Sequence, residues 1–193
     1  MMDYLYKNWP KIGIVSAVFI LVMLIFYPGT KIGSLQWLFW LLVPVYMIHQ
    51  FEEYVFPGGF KNELNQEVMK SSNSESPLND KTAFWINVPI VWVIFPISAI
   101  IGLNFVLIPA VCMLFAAANG ILHLAFSIRK MKYGPGFLAS LFLNIPLAVY
   151  TVGNLIAKDM INTQGLVIAT VIALFLHSLI PIYLIKQGKA SAG

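Results

Sequence analysis

Six blocks of mostly apolar residues recur along the chain, at roughly 11–27, 35–53, 83–101, 104–127, 137–157 and 165–185, each near the 20 residues an α-helix needs to cross a bilayer. None shows the strict apolar/polar alternation of a half-buried strand, so the pattern predicts an all-α polytopic membrane bundle of about six transmembrane helices. The breaks fall where turn chemistry is dense: Tyr27-Pro28-Gly29-Thr30, Phe56-Pro57-Gly58-Gly59, Tyr133-Gly134-Pro135-Gly136 and Asn162-Thr163-Gln164-Gly165. At Gly102-Leu103-Asn104 the third and fourth helices must turn within a few residues. The first block is too long and too poorly flanked for a cleaved signal peptide and is expected to remain as a helix. The one long polar stretch, within 57–81, is expected to hold a short surface helix followed by a mobile serine-rich loop around Ser71–Pro77. It is too short to be a second domain, and residues 1–193 read as a single transmembrane domain.

Composition sharpens this into a class. Hydrophobic residues make up 59% of the chain and charged residues 10%, with a mean hydropathy of +0.80, against about a quarter charged in soluble domains. A soluble globule could not hide that much apolar surface. The single cysteine, Cys112, rules out a disulfide framework within one chain and a thiolate zinc knuckle. The net charge of +4 comes from lysines lying between hydrophobic blocks, where basic residues fix membrane orientation, so no nucleic-acid partner is expected. With the N-terminus inside, Lys7, Lys11, Lys61, Lys70, Lys81, Arg129, Lys130, Lys132, Lys186 and Lys189 all fall on the cytosolic side. Only Lys31 and Lys158 remain outside, which supports an N-in, C-in topology. The expected location is the bacterial cytoplasmic (inner) membrane.

Ionisable groups within a bilayer cost roughly 2.5 to 3.5 kcal/mol each on insertion scales, so each one is a functional candidate. They are few here: His49-Gln50-Phe51-Glu52-Glu53 in the second block, Asn119 and His123 in the fourth, and His177 in the sixth. Counting residues to the next cytosolic basic side chain places all three histidines in the cytosolic half, with Asn87 and Asn144 in the same layer. At 100° per residue, Glu52 and Glu53 both share a helix face with His49, and Asn119 shares one with His123. Pro44 and Pro181 free the carbonyls of Trp40 and His177, which protein or water must satisfy.

Taken in order, His49-x-x-Glu52-Glu53, Asn119-x-x-x-His123 and Tyr133-x-Pro135-Gly136 resemble the three motifs of the bacterial HXXEE-motif membrane protein family. The resemblance covers roughly residues 40 to 185 and matches all three motifs. It implies a membrane protein with a site at these residues and carries no established activity.

Convergent histidines and carboxylates suit a divalent metal, with His49, Glu52, His123 and His177 as candidate ligands for zinc, iron or manganese. The catalytic candidates are Glu53, Glu52 and Asn119, with the glutamate that is not a ligand acting as a base on water. Tyr133, Asn87 and Asn144 are candidates for contacting the substrate, Tyr133 from a lip over the entrance. The expected activity is a metal-dependent, hydrolase-like membrane enzyme acting on an amphiphilic or lipidic substrate. Membrane lipids are the other expected partners, and the basic residues 129–132 are read as contacting anionic lipid. The same residues also fit a metal-free acid/base enzyme of isomerase type or a small proton-coupled transporter. A buried network holding helices together, or an assembly subunit without catalysis, uses them for structure alone.

Overall fold

In a computed structural model, residues 1–190 are described, the side chains of Lys189 and Ala190 excepted, so Lys189 of the basic set above lies outside the described side chains. The described residues form seven helices and no strand: α1 (Met2–Phe26), α2 (Leu35–Tyr54), the short α3 (60–68), α4 (Asp80–Ile101), α5 (Leu107–Lys130), α6 (Phe137–Ala157) and α7 (Thr163–Ala190). Among them, α1, α4, α5, α6 and α7 are long and apolar enough to cross a membrane. The chain is a helical membrane bundle.

The second of the six expected spans behaves differently. At 20 residues α2 has spanning length, about 30 Å at 1.5 Å per residue, but it does not match the apolarity of the other five. Its C-terminal half carries His49, Gln50, Glu52 and Glu53, and 13 of its residues are buried. Those polar side chains face protein rather than hydrocarbon, which is how the bundle tolerates them. Phe39, Leu42, Val43 and Tyr46 of α2 pack on Val91, Phe95 and Ala99 of α4 and on Met113 and Ala116 of α5. The axial helix of the bundle is therefore the least apolar of its six long helices.

Adjacent helices alternate in direction. Trp37 near the start of α2 donates from its indole to the Leu24 carbonyl near the end of α1 (3.0 Å), while Trp9 at the other end of α1 packs against Tyr54 with the rings tilted at 59°. Gln36 reaches the Ala99 carbonyl of α4 at 2.6 Å. As a result α2, α5 and α7 run the same way and bring their histidines to one end. Helix α7 packs closely along α5, with its Ala169 and Ala173 fully buried or nearly so, while Gly120 of α5 lies against Ile145 and Ser140 of α6. By contrast, Val15, Val18 and Phe19 of α1 and Val171, Leu174 and Phe175 of α7 are exposed, as a hydrocarbon solvent requires.

Two boundaries and one loop depart from the sequence reading. Helix α1 starts at Met2 rather than near residue 11, because its first turns pack on α4, with Tyr6 against Phe84 at 5.1 Å. The α4–α5 turn extends over 102–106, so α5 starts at Leu107. The short surface helix is present as α3, but the serine-rich loop after it is tied down rather than loose. Asn65, fully buried, donates to the carbonyls of Ser74 (2.6 Å) and Leu78 (2.9 Å) and accepts from the Leu78 amide (2.9 Å). Lys61 adds ion pairs to Asp80 (2.6 Å) and Glu75 (3.2 Å), and Leu78 sits in a small core with Trp9, Ala83 and Leu184.

Candidate metal centre

His49 and Glu53 lie one turn apart on the buried face of α2, and His123 reaches them from α5. The Glu53 Oε1 atom is 2.9 Å from His123 Nε2 and 3.4 Å from His49 Nε2. One ligand atom from each of the three lies within 4.8 Å of the others, and all three residues are buried. The imidazoles meet edge to face with centroids 4.8 Å apart.

Hydrogen bonds around these rings decide which atoms present lone pairs. Asn119, one turn before His123 on α5, places its Nδ2 2.9 Å from His49 Nε2. Its Oδ1 is 3.3 Å from Nε2 of His177 on α7. With His177 donating to that oxygen, the amide nitrogen donates to His49, so Nε2 of His49 is an acceptor. The His49 Nδ1 atom, facing Ser140 Oγ at 3.5 Å, then carries the proton. His123 is also hydrogen-bonded to the backbone of Pro135, the kind of contact that fixes a ligating imidazole. Glu53 Oε1 and His49 Nε2 therefore face each other as two acceptors. Only a cation, a metal ion or a proton, makes that contact favourable.

The neighbouring glutamate has a separate task. Glu52 accepts from the Tyr133 hydroxyl (2.5 Å) and from the backbone amides of Leu138 (2.9 Å) and Ala139 (2.6 Å). These are amides of the first turn of α6, so its carboxylate caps that helix from across the bundle and sits at the positive end of its dipole. With three donors engaged, it is directed away from the cluster of His49, Glu53 and His123. Burial and the Glu52 carboxylate hold the half-exposed Tyr133 hydroxyl well above its usual pKa, so it stays a donor at neutral pH.

A cavity of about 180 Å³ opens beside the cluster. Glu53, His123, Asn119 and His177 form its polar wall, and Phe60, Leu64, Ile90, Phe115 and Ile180 are among the apolar residues that line the rest. Asn87 also lines it, held by Gln50 (3.1 Å) and Tyr54 (3.2 Å). Asn144 is fully buried one turn beyond Ser140, with neither amide atom partnered, and does not line this cavity. The structure thus brings His49, Glu53, Asn119, His123 and His177 together, sets Glu52 and Tyr133 on the α6 cap, and leaves Asn144 apart.

Ser140, which sequence reasoning passed over, also belongs to the site, as does Gly136, which it noted only as part of the Tyr133-x-Pro135-Gly136 motif. Gly136 has φ +85°, and a Cβ there would lie 2.8 Å from His49 Cε1 and 2.9 Å from His123 Nδ1. Both a left-handed backbone and the absence of a side chain are required. The Tyr133-x-Pro135-Gly136 spacing was the available signal, since it delivers a capping hydroxyl, a carbonyl and a bare backbone from one turn.

No curated protein and no solved structure is significantly similar to the chain. A family model does match over residues 40–151, which is more than half of the 193-residue chain and includes most of α2, all of α5, the Tyr133–Gly136 turn and most of α6. The chain belongs to the family described as proteins of unknown function with the HXXEE motif.

Proposed function

We propose that this protein is a membrane-embedded, metal-dependent enzyme that hydrolyses an amphiphilic substrate at the His49–Glu53–His123 cluster. The observation that carries the reading is the convergence of two imidazole nitrogens and one carboxylate oxygen on a single buried point, where an ion would take the His49 Nε2 lone pair that the Asn119 amide otherwise engages. Two histidines and a carboxylate fit zinc, iron or manganese and leave coordination positions for water or substrate. A divalent ion held there supplies Lewis acidity, polarising a carbonyl and acidifying water at neutral pH. The chain's own residues do the rest. Asn119 bridges His49 and His177 and orients both, while His177, on the cavity wall, is placed to receive a proton. Glu52, engaged with α6, is removed from the role of base. With both termini inside, the cavity lies in the cytosolic half of the bacterial cytoplasmic membrane.

A metal-free acid/base enzyme is the second reading, favoured by one contact. A proton shared between Glu53 and His123 satisfies the 2.9 Å distance as well as an ion does. Elemental mass spectrometry of protein purified in detergent without chelator separates the two. About one zinc, iron or manganese per chain, lost in His49→Ala and His123→Ala variants of intact fold, supports the metalloenzyme. Metal-free wild-type protein removes it and leaves the acid/base reading.

A further inference from the structure

Helix α7 packs extensively only along α5, and residues of α4, α5 and α7 together line a slot between α4 and α7 with α5 as its floor. The slot has a volume of about 560 Å³ and is lined by apolar residues such as Ile90, Ile94, Val111, Ile172, Leu176 and Leu179, with no aspartate, glutamate, lysine, arginine or histidine among its walls. From Ile172 to Tyr183 it follows α7 for about 16 Å at 1.5 Å per residue. Its walls belong to membrane-spanning helices, and exposed Val93 and Ile97 on α4 and Val171 and Phe175 on α7 flank it. Its surroundings are therefore hydrocarbon.

The slot also leads somewhere. Ile86, Ile90, Phe115 and Ile180 line both it and the cavity that holds Glu53 and His123. The Phe115 ring lies 5.2 Å from the His177 ring, at the junction of apolar wall and polar wall. An apolar trough that opens to the bilayer and ends at a buried carboxylate and two imidazoles has the shape and polarity of a single elongated amphiphile. A second copy of the chain laid against this face would cover the trough without using its polar end.

We infer that the α4–α5–α7 slot seats the hydrocarbon chain of a membrane amphiphile, entering sideways from the bilayer, and delivers its polar group to Glu53 and His123. The fate of that polar group rests on the proposed function; the seating of the chain does not. Desolvating the apolar tail within the slot leaves only the head to be recognised by the small polar wall. The slot thereby selects for chain length and the cluster for head chemistry.

The test uses full-length protein in vesicles of phosphatidylethanolamine and phosphatidylglycerol, with a hexadecanol carrying a photoactivatable diazirine near the end of its chain. After irradiation, adducts mapped by peptide mass spectrometry are expected at Val111, Cys112 and Leu176, suppressed by excess hexadecanol and not by hexanol. Filling the slot with Val111→Trp and Leu176→Trp is expected to reduce this labelling about tenfold, a loss worth about 1.4 kcal/mol. The milder Leu176→Phe is expected to reduce it in a chain whose folding is less disturbed. Val149 and Tyr150, exposed on α6, report lipid that merely surrounds the protein. Labelling of the slot that cannot be saturated, or that equals the labelling at Val149 and Tyr150, overturns the proposal, as does a chemically cross-linked dimer that shields it. Saturable labelling in a protein that holds no metal keeps the slot and removes the metalloenzyme.

Discussion

Glu52 and Glu53 are adjacent and chemically identical, yet their surroundings separate them. Glu52 meets two backbone amides and a phenol, whereas Glu53 meets two imidazole acceptors. Glu53→Gln is therefore expected to abolish metal binding and activity, while Glu52→Gln retains the metal but weakens the cap on α6. The Glu52 change should lower stability by about 1–3 kcal/mol, read as a fall in the thermal midpoint in detergent. Equal loss of metal from both variants would contradict the division. Tyr133→Phe removes one of the three donors to Glu52. Because the folded hydroxyl titrates well above its ordinary value of about 10, its contribution is present throughout the neutral range and is lost only as pH rises toward that folded value. Wild type and Tyr133→Phe should therefore differ by a constant stability increment between about pH 6 and 8. An increment that changed across that window would mean that Tyr133 is not the donor.

At the scale of elements, two turns hold the site in shape. The Tyr133–Gly136 turn works by lacking a side chain where the two imidazoles lie. Gly136→Ala would combine a left-handed backbone, costing roughly 1–2 kcal/mol for a residue with a Cβ, with contacts under 3 Å to both rings. The expected result is a folded protein with strongly reduced metal content, measured on the same preparation. The loop after α3 depends on Asn65, whose side chain makes three hydrogen bonds to backbone on the far side of that loop. Asn65→Ala leaves those groups unpaired, at about 1–3 kcal/mol for a buried loss, and limited proteolysis is expected to cut within 69–79 many times faster. Unchanged cleavage would show that the Lys61 ion pairs and the Leu78 core suffice. Lys130 joins α3 to α5 by pairing with Glu63 and with Glu67, the latter at 2.6 Å.

For the whole molecule, orientation is the outstanding quantity, and basic-residue bias argues that the end bearing the site faces the cytosol. Cys112 is 4% exposed, so it gives little background to a thiol probe. Cysteine placed at Asn73 should react with a membrane-impermeant maleimide only from the cytosolic side, and cysteine placed at Thr30 only from the other. The reverse pattern would invert the topology and move the cavity to the outer half. The alternating directions of the helices already place α2, α5 and α7 parallel, so all three histidines share one end whichever side it faces.

The helical class, the blocks and the candidate residues were legible in the sequence because a bilayer imposes them. Hydrocarbon requires about 20 apolar residues per span and makes every ionisable group within one conspicuous. Helical period alone put His49 and Glu53 on one face and Asn119 and His123 on another. It put Glu52 on the His49 face as well, and there the reading stopped, because a period states direction and not the partner met. Three things came only with tertiary structure: the first turn of α6 delivering amides to Glu52, Gly136 lying against two rings, and α2 being surrounded by helices and thus free to be less apolar than they are. All three depend on segments distant in sequence meeting in space, and contacts of that kind leave no periodic trace along a chain.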